Sequence, residues 1–401
     1  MHMATIALSI DPVASEPVPH DLISLTSDYL FYAVIALAVA TVAITVVAWN
    51  SVRGPRPVRL LTRLFMIGMC QATAVAVLGL WINDDFALYG SWHDLLGEPA
   101  TADNSPGGPG TADFEDLGDG LTATDFHGPQ SHLRGQVLVW TPPQYDQSDY
   151  SGDRFPVIML LHGVPGTPQA WIKGGHATTE LADMMTKGQL PPAILVMPRV
   201  DPGGNTDCTN IPHGPQTATW LAQDVRTLVL GHFRALHDPA AWAMAGDSTG
   251  GYCATTLPLQ YPGDFATGLA FSPDDFHGDP AIVPSRTLRR LTDPIRLAAT
   301  GSRVALMVAT SRNDPSSTPA NAEALRAAAK APTRVAPPLI ADDGGHNWHT
   351  WRAMYPKAFG WLGTRLDRPR QPAATALTVG SPGTATALPA CGPTADCPGH
   401  H

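Results

Sequence analysis

A serine in the middle of the chain lies in a pattern that could supply a nucleophile. The segment Gly246-Asp-Ser-Thr-Gly250 has the form G-x-S-x-G, with an apolar run at 241–245 before it and a helix-like stretch at 251–259 after it. A strand–turn–helix of this kind is so tight that glycines are needed at the first and last positions of the turn. The turn exposes the hydroxyl of Ser248, and the helix N-terminus directs free N–H groups at the reaction centre. The pattern predicts that Ser248 is the nucleophile of an acyl-transfer reaction.

The serine needs a base, and the base needs an acid to hold it, because a hydroxyl is a weak nucleophile near neutral pH. After such a nucleophile the acid and then the histidine follow in chain order. We expect the base to be His346, in a glycine-rich loop after the last predicted strand, with His349 as the alternative. We expect the acid to be Asp314, which follows a predicted buried strand, with Glu323 and Asp342 as alternatives.

The negative charge that develops on the carbonyl oxygen needs two backbone donors. We expect one to be the amide of Thr249, directly after the nucleophile. The other is expected in the loop His162-Gly-Val-Pro-Gly166, which follows an apolar strand, and we favour the amide of Val164. His162 itself is expected to brace this loop. The sequence therefore predicts an acyl-transfer site assembled from several loops.

The elements that position these residues alternate between apolar runs and helical patterns. Strands are predicted at 135–140, 155–161, 193–198, 241–245, 267–271, 304–310 and 338–341. Helices are predicted at 178–187, 218–233, 251–259 and 319–330. This alternation predicts an α/β fold, with a mostly parallel sheet covered by helices on both faces. Ligands bind such sheets outside the carboxyl ends of the strands, where the expected site residues fall.

Two apolar runs, 29–49 and 64–82, precede this region, and each is long enough to cross a bilayer. The basic residues of this part of the chain lie between the runs: Arg53, Arg56, Arg59 and Arg63. The positive-inside rule places that connection in the cytoplasm, and it places the N-terminus and everything after residue 83 outside a bacterial plasma membrane. A cleaved signal peptide is one alternative, but it needs basic residues ahead of the first run, and 1–28 contains none. A buried helical hairpin is the other.

These features divide the chain into five predicted parts. They are an extracytoplasmic segment at 1–28, a transmembrane hairpin at 29–83, an acidic linker at 84–120, a catalytic domain at 121–366 and a disordered Pro/Ala/Thr-rich tail at 367–401.

Charge and cysteine usage exclude some classes of partner. The formal net charge of -10, without a basic stripe in the soluble part, argues against nucleic acid. No cysteine or histidine spacing is typical of zinc ligands, so we expect neither a metal nor a cofactor. In an exported domain Cys208 could pair with Cys253, and Cys391 with Cys397, whereas in the cytosol all would be free thiols.

The region from about 121 to 365 resembles the putative-esterase family of α/β-hydrolases, which includes esterase D and the antigen 85 mycolyltransferases. The matching segments are VLVWTPPQY (137–145), PVIMLLHG (156–163), AGDSTGG (245–251), YPGDF (261–265) and GHNW (345–348). The resemblance implies an α/β-hydrolase fold and an ester substrate. The residues expected to contact that substrate are His162, Gly163, Trp171, Asp247 and Trp348.

The sequence as a whole predicts a membrane-anchored serine esterase or acyltransferase that acts on a small-molecule, lipid or glycolipid ester through an acyl-enzyme. One alternative is mycolyltransferase-like transfer of acyl chains to a sugar or envelope hydroxyl. The other is a non-catalytic envelope protein that binds glycan or lipid on a hydrolase scaffold.

Overall fold

The computed structural model describes residues 28–86 and 110–371, together with the single positions 25, 89 and 95. The predictions for most of 1–28, for 87–109 apart from positions 89 and 95, and for the tail from 372 lie outside the described residues. The expected pairing of Cys391 with Cys397 lies outside them as well.

Two long helices, α1 (Asp28–Ala48) and α2 (Arg56–Phe86), pack against each other near the N-terminus. Between them, Thr41 Oγ1 and Thr73 Oγ1 lie 3.2 Å apart. Both helices are long and apolar enough to cross a membrane, and their described apolar side chains are exposed or half-buried. The second helix begins at Arg56, ahead of the apolar run predicted for it. Arg56, Arg59 and Arg63 therefore lie in its first turns rather than in the connection, since arginine is a good helix former.

A single sheet organises the rest of the described chain. Its strands are β1 (Glu115–Gly118), β2 (Leu121–His127), β3 (Arg134–Trp140), β4 (Val157–Leu161), β5 (Ile194–Pro198), β6 (Trp242–Asp247), β7 (Thr267–Phe271), β8 (Ala305–Ser311), β9 (Arg334–Val335) and β10 (Leu339–Ala341).

The strand order is β1-β2-β3-β5-β4-β6-β7-β8-β10, with β9 also paired to β8. From β5 to β10 the neighbouring strands are parallel, whereas β1, β2, β3 and β5 pair antiparallel. The mostly parallel sheet expected from the sequence is thus confirmed. Strand β6 lies between β4 and β7, with Leu161 opposite Gly246 and Asp247 opposite Phe271. This register brings the carboxyl ends of the three strands to one place.

Helices cover both faces of the sheet. In chain order they are Ala170–Lys173, α3 (Ala177–Thr186), Thr217–Thr219, the π-turn Trp220–Asp224, α4 (Val225–His232), α5 (Thr249–Gln260), Arg286–Thr292, Pro294–Ala298, α6 (Pro319–Ala328) and α7 (Trp348–Gly363). Short 3-10 turns lie at Pro143–Asp146, Ser148–Tyr150 and Pro239–Ala241.

The core has two main layers, one on each face of the sheet. On one face the aromatic rings of α7, including Tyr355 and Phe359, pack against Trp171 and Phe271. On the other face Trp220 and Trp242 pack among the residues of α4 and α5. Strands β4 and β5 are buried along their whole length, as expected for a sheet covered on both sides.

Contacts of the catalytic domain extend beyond its predicted limits at both ends. Strand β1 lies inside the segment predicted as a linker and pairs with β2, which was also not predicted. Both strands contain few apolar residues and show little strand propensity, so the hydrogen bonds to the neighbouring strand contribute most of their stability. At the other end Arg370 pairs with Asp238 at 2.6 Å and with the backbone of Arg154, beyond the predicted boundary at 366.

A disulfide joins Cys208 to Cys253, with their Cα atoms 5.6 Å apart. Cys253 is fully buried in α5 and Cys208 is buried in the loop that follows β5. The bond pins this loop to the helix that begins beside Ser248. One of the two pairings expected for an exported domain is therefore present in the structure.

Candidate active site

Ser248 lies at the turn between β6 and α5, with φ 53° and ψ −123°. Its backbone N–H donates to the carbonyl oxygen of Phe271 at 3.0 Å, which ties the turn to β7. A Cβ atom on Gly246 would collide with the carbonyl oxygen of Gly250, and one on Gly250 with the carbonyl oxygen of Leu161. Both glycines of the motif are thus required by sterics, for the reason that the sequence pattern suggested.

His346 lies between β10 and α7, next to Asp314 in the loop after β8. Its Nδ1 is 3.2 and 3.1 Å from the two carboxylate oxygens of Asp314. The Asp314 side chain is fully buried, and its Oδ1 accepts the backbone N–H groups of Ser316 and Ser317 at 2.9 and 3.0 Å. Because a carboxylate can only accept, Nδ1 carries the hydrogen, and Nε2 of the neutral ring keeps its lone pair.

The alternative residues have other surroundings. Glu323 pairs with Arg326 at 3.2 Å and Asp342 pairs with Arg312 at 2.9 Å, and both carboxylates are exposed. His349 is exposed on α7. Of the three carboxylates considered from the sequence, Asp314 is the one that contacts His346.

Ser248 and His346 line the same cavity, which has a volume of about 230 Å³. Its other lining residues are Gly163, Val164, Pro165, Gly166, Ala170, Asp247, Asn347, Trp348 and Trp351. The indole of Trp351 meets the His346 ring edge-on at 5.2 Å and donates to the hydroxyl of Ser272 at 2.9 Å. Trp351 therefore fixes one side of the imidazole.

A carboxylate that the sequence reading missed contacts the nucleophile. The hydroxyl of Ser248 donates to Asp274 Oδ1 at 3.3 Å, and Thr249 Oγ1 donates to Asp274 Oδ2 at 2.6 Å. Within the described part of the chain, no hydrogen bond joins Ser248 to His346. Asp274 follows β7, and because β7 lies beside β6 in parallel, its carboxyl end must fall next to the nucleophile. The predicted parallel pairing of these two strands was therefore the feature of the sequence from which Asp274 could have been found.

The two expected oxyanion donors flank the nucleophile. Thr249 is the first residue of α5, where backbone N–H groups have no partner within the helix. Val164 lies in the cavity wall, and its N–H has no hydrogen-bond partner among the described residues. The loop that carries Val164 is close to the serine, since a Cβ atom on Gly163 would lie 3.0 Å from Ser248 Cβ.

His162 does not line the cavity, which corrects its inclusion among the substrate contacts. Its ring is fully buried, Nε2 accepts the N–H of Val200 at 3.0 Å, and Nδ1 donates to the carbonyl oxygen of Gly163 at 2.7 Å. These bonds connect the loop after β4 to the chain after β5. The bracing role expected for His162 is the one that its contacts support.

Trp171 is likewise a core residue rather than a cavity residue. It is fully buried and packs edge-on against Trp348 at 5.1 Å. Trp348 does line the cavity, so Trp171 supports the cavity wall from behind. Of the five expected substrate contacts, Gly163, Asp247 and Trp348 reach the cavity.

Asp247 is a buried acid beside the nucleophile. Its Oδ2 accepts the N–H of Gly163 at 3.2 Å, whereas its Oδ1 has no partner among the described residues. Burial raises the pKa of this carboxyl to about 8, and the nearby charge of Asp274 adds to the effect, against the lowering by the backbone bonds. The raised pKa favours the protonated, uncharged carboxyl, which limits negative charge next to the place where the oxyanion would form.

Comparisons with known proteins agree with this architecture. The model of the Esterase family, described as "Putative esterase", matches residues 133–362. An uncharacterized protein of Corynebacterium glutamicum is 26% identical over 249 residues. That alignment spans 57% of this chain and 57% of the relative, so the chain matches little more than half of the relative's length.

Solved structures with the same fold include two enzymes. An S-formylglutathione hydrolase from Agrobacterium tumefaciens superposes with a TM-score of 0.52 and 18% identity, over 64% of this chain and 100% of that one. A ferulic acid esterase superposes with a TM-score of 0.50 and 20% identity, over 61% of this chain and 97% of that one. At these identities the likeness establishes the α/β-hydrolase fold.

Proposed function

The chain belongs to the Esterase family of α/β-hydrolases, and we propose on this basis that it is a membrane-anchored serine esterase or acyltransferase acting through an acyl-enzyme on Ser248. The observation that carries the proposal is geometric. Ser248 and His346 line one cavity, while Asp314 holds Nδ1 of His346 from the side. An imidazole held in this way presents a basic nitrogen for a serine hydroxyl.

In the proposed acylation step, Ser248 leaves its hydrogen bond with Asp274 and donates to Nε2 of His346. Oγ then attacks the ester carbonyl as Nε2 takes the proton, and Asp314 stabilises the resulting imidazolium. The amides of Thr249 and Val164 hold the oxyanion. His346 returns the proton to the departing alcohol, and the acyl group remains on Ser248.

In the proposed deacylation step, a second hydroxyl occupies the space that the alcohol left. His346 removes its proton as it attacks the acyl-enzyme, and Ser248 regains its hydrogen when the intermediate collapses. Water as the attacking group gives an esterase. A sugar or other envelope hydroxyl gives mycolyltransferase-like transfer, which requires that the site exclude water.

The proposed location is the outer face of a bacterial plasma membrane. Two features support it: helices α1 and α2 meet the length and hydropathy needed to span, and the disulfide is typical of an oxidising compartment. Arg53 lies between the two helices and Arg56, Arg59 and Arg63 lie in the first turns of α2, which favours a cytoplasmic location for this end of both helices. Protease added to intact and to opened cells would test this sidedness, since the proposal predicts digestion of the catalytic domain in intact cells.

The test of the function uses the full chain in a mild detergent and p-nitrophenyl esters of increasing acyl length. We expect hydrolysis by the wild-type protein and a fall of about 10⁴-fold or more in kcat for Ser248→Ala. Ser148→Ala is the matched control, because that serine is exposed in the turn Ser148–Tyr150 and does not line the cavity. Adding glycerol or trehalose and measuring ester products separates transfer from hydrolysis. Equal activity of the wild-type and Ser248→Ala proteins would overturn the proposal.

A further inference from the structure

A group of arginines lies on the segment between β7 and β8, outside the proposed active site. The short helices Arg286–Thr292 and Pro294–Ala298 carry Arg286, Arg289, Arg290 and Arg296. All four, with His277 and Asp293, line a surface cavity of about 390 Å³, which we call the arginine cavity. So dense a basic group is unexpected in a chain with a formal net charge of -10.

The charges of the arginine cavity are not neutralised within the described part of the chain. Asp293 is its one carboxylate and is 5% exposed. Its Oδ1 accepts the N–H groups of Ile295 and Arg296 at 2.8 and 3.2 Å, and its Oδ2 lies 3.1 Å from His277 Nδ1. Asp293 is thus occupied in capping a helix and holding His277, and it contacts none of the guanidinium groups.

The guanidinium groups differ in what they contact. Arg289 donates to the carbonyl oxygens of Val283 and Pro284. Arg286, Arg290 and Arg296 are exposed and form no ion pair with any described residue. Like charges so close repel one another, and a bound anion would relieve that repulsion. The planar fork of arginine matches the oxygens of a phosphate group, which it binds with two hydrogen bonds.

A second cavity adjoins the first and has a different character. It measures about 570 Å³ and shares Arg290 and Arg296 with the arginine cavity. Its apolar wall includes Leu291, Leu297 and Ala299, and Leu291 is 62% exposed. The exposed Leu291 and the half-buried Leu297, beside arginines without an ion-pair partner among the described residues, form a surface that is basic at one end and apolar at the other. A ligand that fits both ends is an amphiphile with an anionic head.

We propose that these two cavities together bind a phosphate-bearing amphiphile, with its phosphate at Arg286, Arg290 and Arg296 and its apolar part against Leu291. The binding is non-covalent and involves none of the residues assigned to ester chemistry. It is therefore independent of the proposed function, and either could fail without the other. Two sources share this chemistry: an anionic phospholipid of a bilayer and a soluble alkyl phosphate.

The test uses isothermal titration calorimetry to measure the binding of three probes to the full-length protein in a non-ionic detergent. The probes are inorganic phosphate, hexyl phosphate and hexanol. We expect hexyl phosphate to bind at least about 10-fold more tightly than inorganic phosphate, because apolar burial stabilises its complex. We expect no binding of hexanol.

Two variants separate the head from the tail of the ligand. Arg290→Gln/Arg296→Gln should weaken both phosphate probes by about 10-fold or more, whereas Leu291→Ser should remove only the advantage of hexyl phosphate. The matched control is Arg326→Gln/Arg365→Gln, which makes the same charge change elsewhere and should leave binding unchanged. Binding that survives the Arg290/Arg296 change, or that falls equally in the control, would overturn the proposal.

A second experiment distinguishes a bilayer phospholipid from a soluble phosphate ester as the ligand. Hydrogen exchange of residues 286–297 is compared in nanodiscs of phosphatidylglycerol and of phosphatidylcholine. Slower exchange in phosphatidylglycerol alone assigns the ligand to the bilayer. Equal exchange in both, together with tight hexyl phosphate binding, assigns it to a soluble phosphate ester.

Discussion

The hydroxyl of Ser248 donates a hydrogen bond to Asp274, with Oγ and Oδ1 3.3 Å apart. While this bond is present, the Ser248 hydroxyl is not directed at His346, and the serine side chain must rotate before it can donate to Nε2. The bond also leaves a half-buried carboxylate beside the atom on which negative charge would move during acylation. Asp274 is thus expected to lower reactivity toward simple neutral esters, both by holding the hydroxyl and by its charge.

The first prediction follows from that bond. Asp274→Asn should raise kcat/KM for p-nitrophenyl acetate by about 3- to 30-fold, since one negative charge near the oxyanion is removed. Steady-state kinetics with the purified full-length protein would measure the effect. Asp275→Asn, which removes the charge of the exposed neighbouring carboxylate, should change the rate less than 2-fold. A 10-fold fall in Asp274→Asn would instead place this carboxylate among the groups that assist the reaction.

The second prediction concerns the acid. Asp314→Asn should lower kcat by about 10²- to 10⁴-fold with KM little changed, because the amide no longer holds the productive imidazole tautomer. Glu323→Gln and Asp342→Asn serve as controls and should retain wild-type rates, since their carboxylates pair with arginines on the surface. If Asp342→Asn proved as damaging as Asp314→Asn, the assignment of the acid would be wrong.

The sequence was sufficient to predict the turn that carries Ser248, because that turn requires two segments of backbone to approach closely. Gly246 and Gly250 leave no room for a side chain, and such a constraint is readable in the pattern G-x-S-x-G. The contact of His346 with Asp314 was also predictable, because both follow strands whose carboxyl ends share one edge of the sheet.

What could not be read from the sequence depends on side-chain direction and on segments of weak pattern. His162 and Trp171 belong to the right segments, yet both point into the interior rather than into the cavity. Asp274 was overlooked because the segment Pro-Asp-Asp is typical of an ordinary surface turn, in which aspartates have no catalytic role. The helices Arg286–Thr292 and Pro294–Ala298 are too short to show a clear period, so their arginines were not recognised as a group.

The third prediction is a dependence of stability on pH that is due to Asp247. Its pKa is raised to about 8 in the folded protein from an ordinary value of 3.8, so the folded state keeps a proton that the unfolded state loses. The stabilisation is therefore complete below about pH 4 and is lost as the pH rises toward 8. Urea unfolding at several pH values should show Asp247→Asn gaining stability relative to the wild-type protein over this interval. A constant difference between the two proteins would contradict the assignment.

The fourth prediction concerns the Cys208–Cys253 disulfide, whose cysteines are 45 residues apart in the chain. Replacing both with alanine should lower the free energy of unfolding of the catalytic domain by about 2–5 kcal/mol, because the unfolded chain loses a constraint. Denaturant unfolding followed by tryptophan fluorescence would measure it. Reductant should shift the wild-type midpoint and leave the double variant unchanged, and Cys70→Ala, which removes a free thiol, should have little effect.

The central claim is that Ser248 is a nucleophile activated by His346, and covalent labelling tests it most directly. A fluorophosphonate probe is added to folded full-length protein, and the modified residue is identified by peptide mass spectrometry. The account predicts one adduct, on Ser248, with none in Ser248→Ala and labelling slowed at least about 100-fold in His346→Ala. Failure of the folded wild-type protein to react, or equal labelling of wild-type and Ser248→Ala proteins, would contradict it.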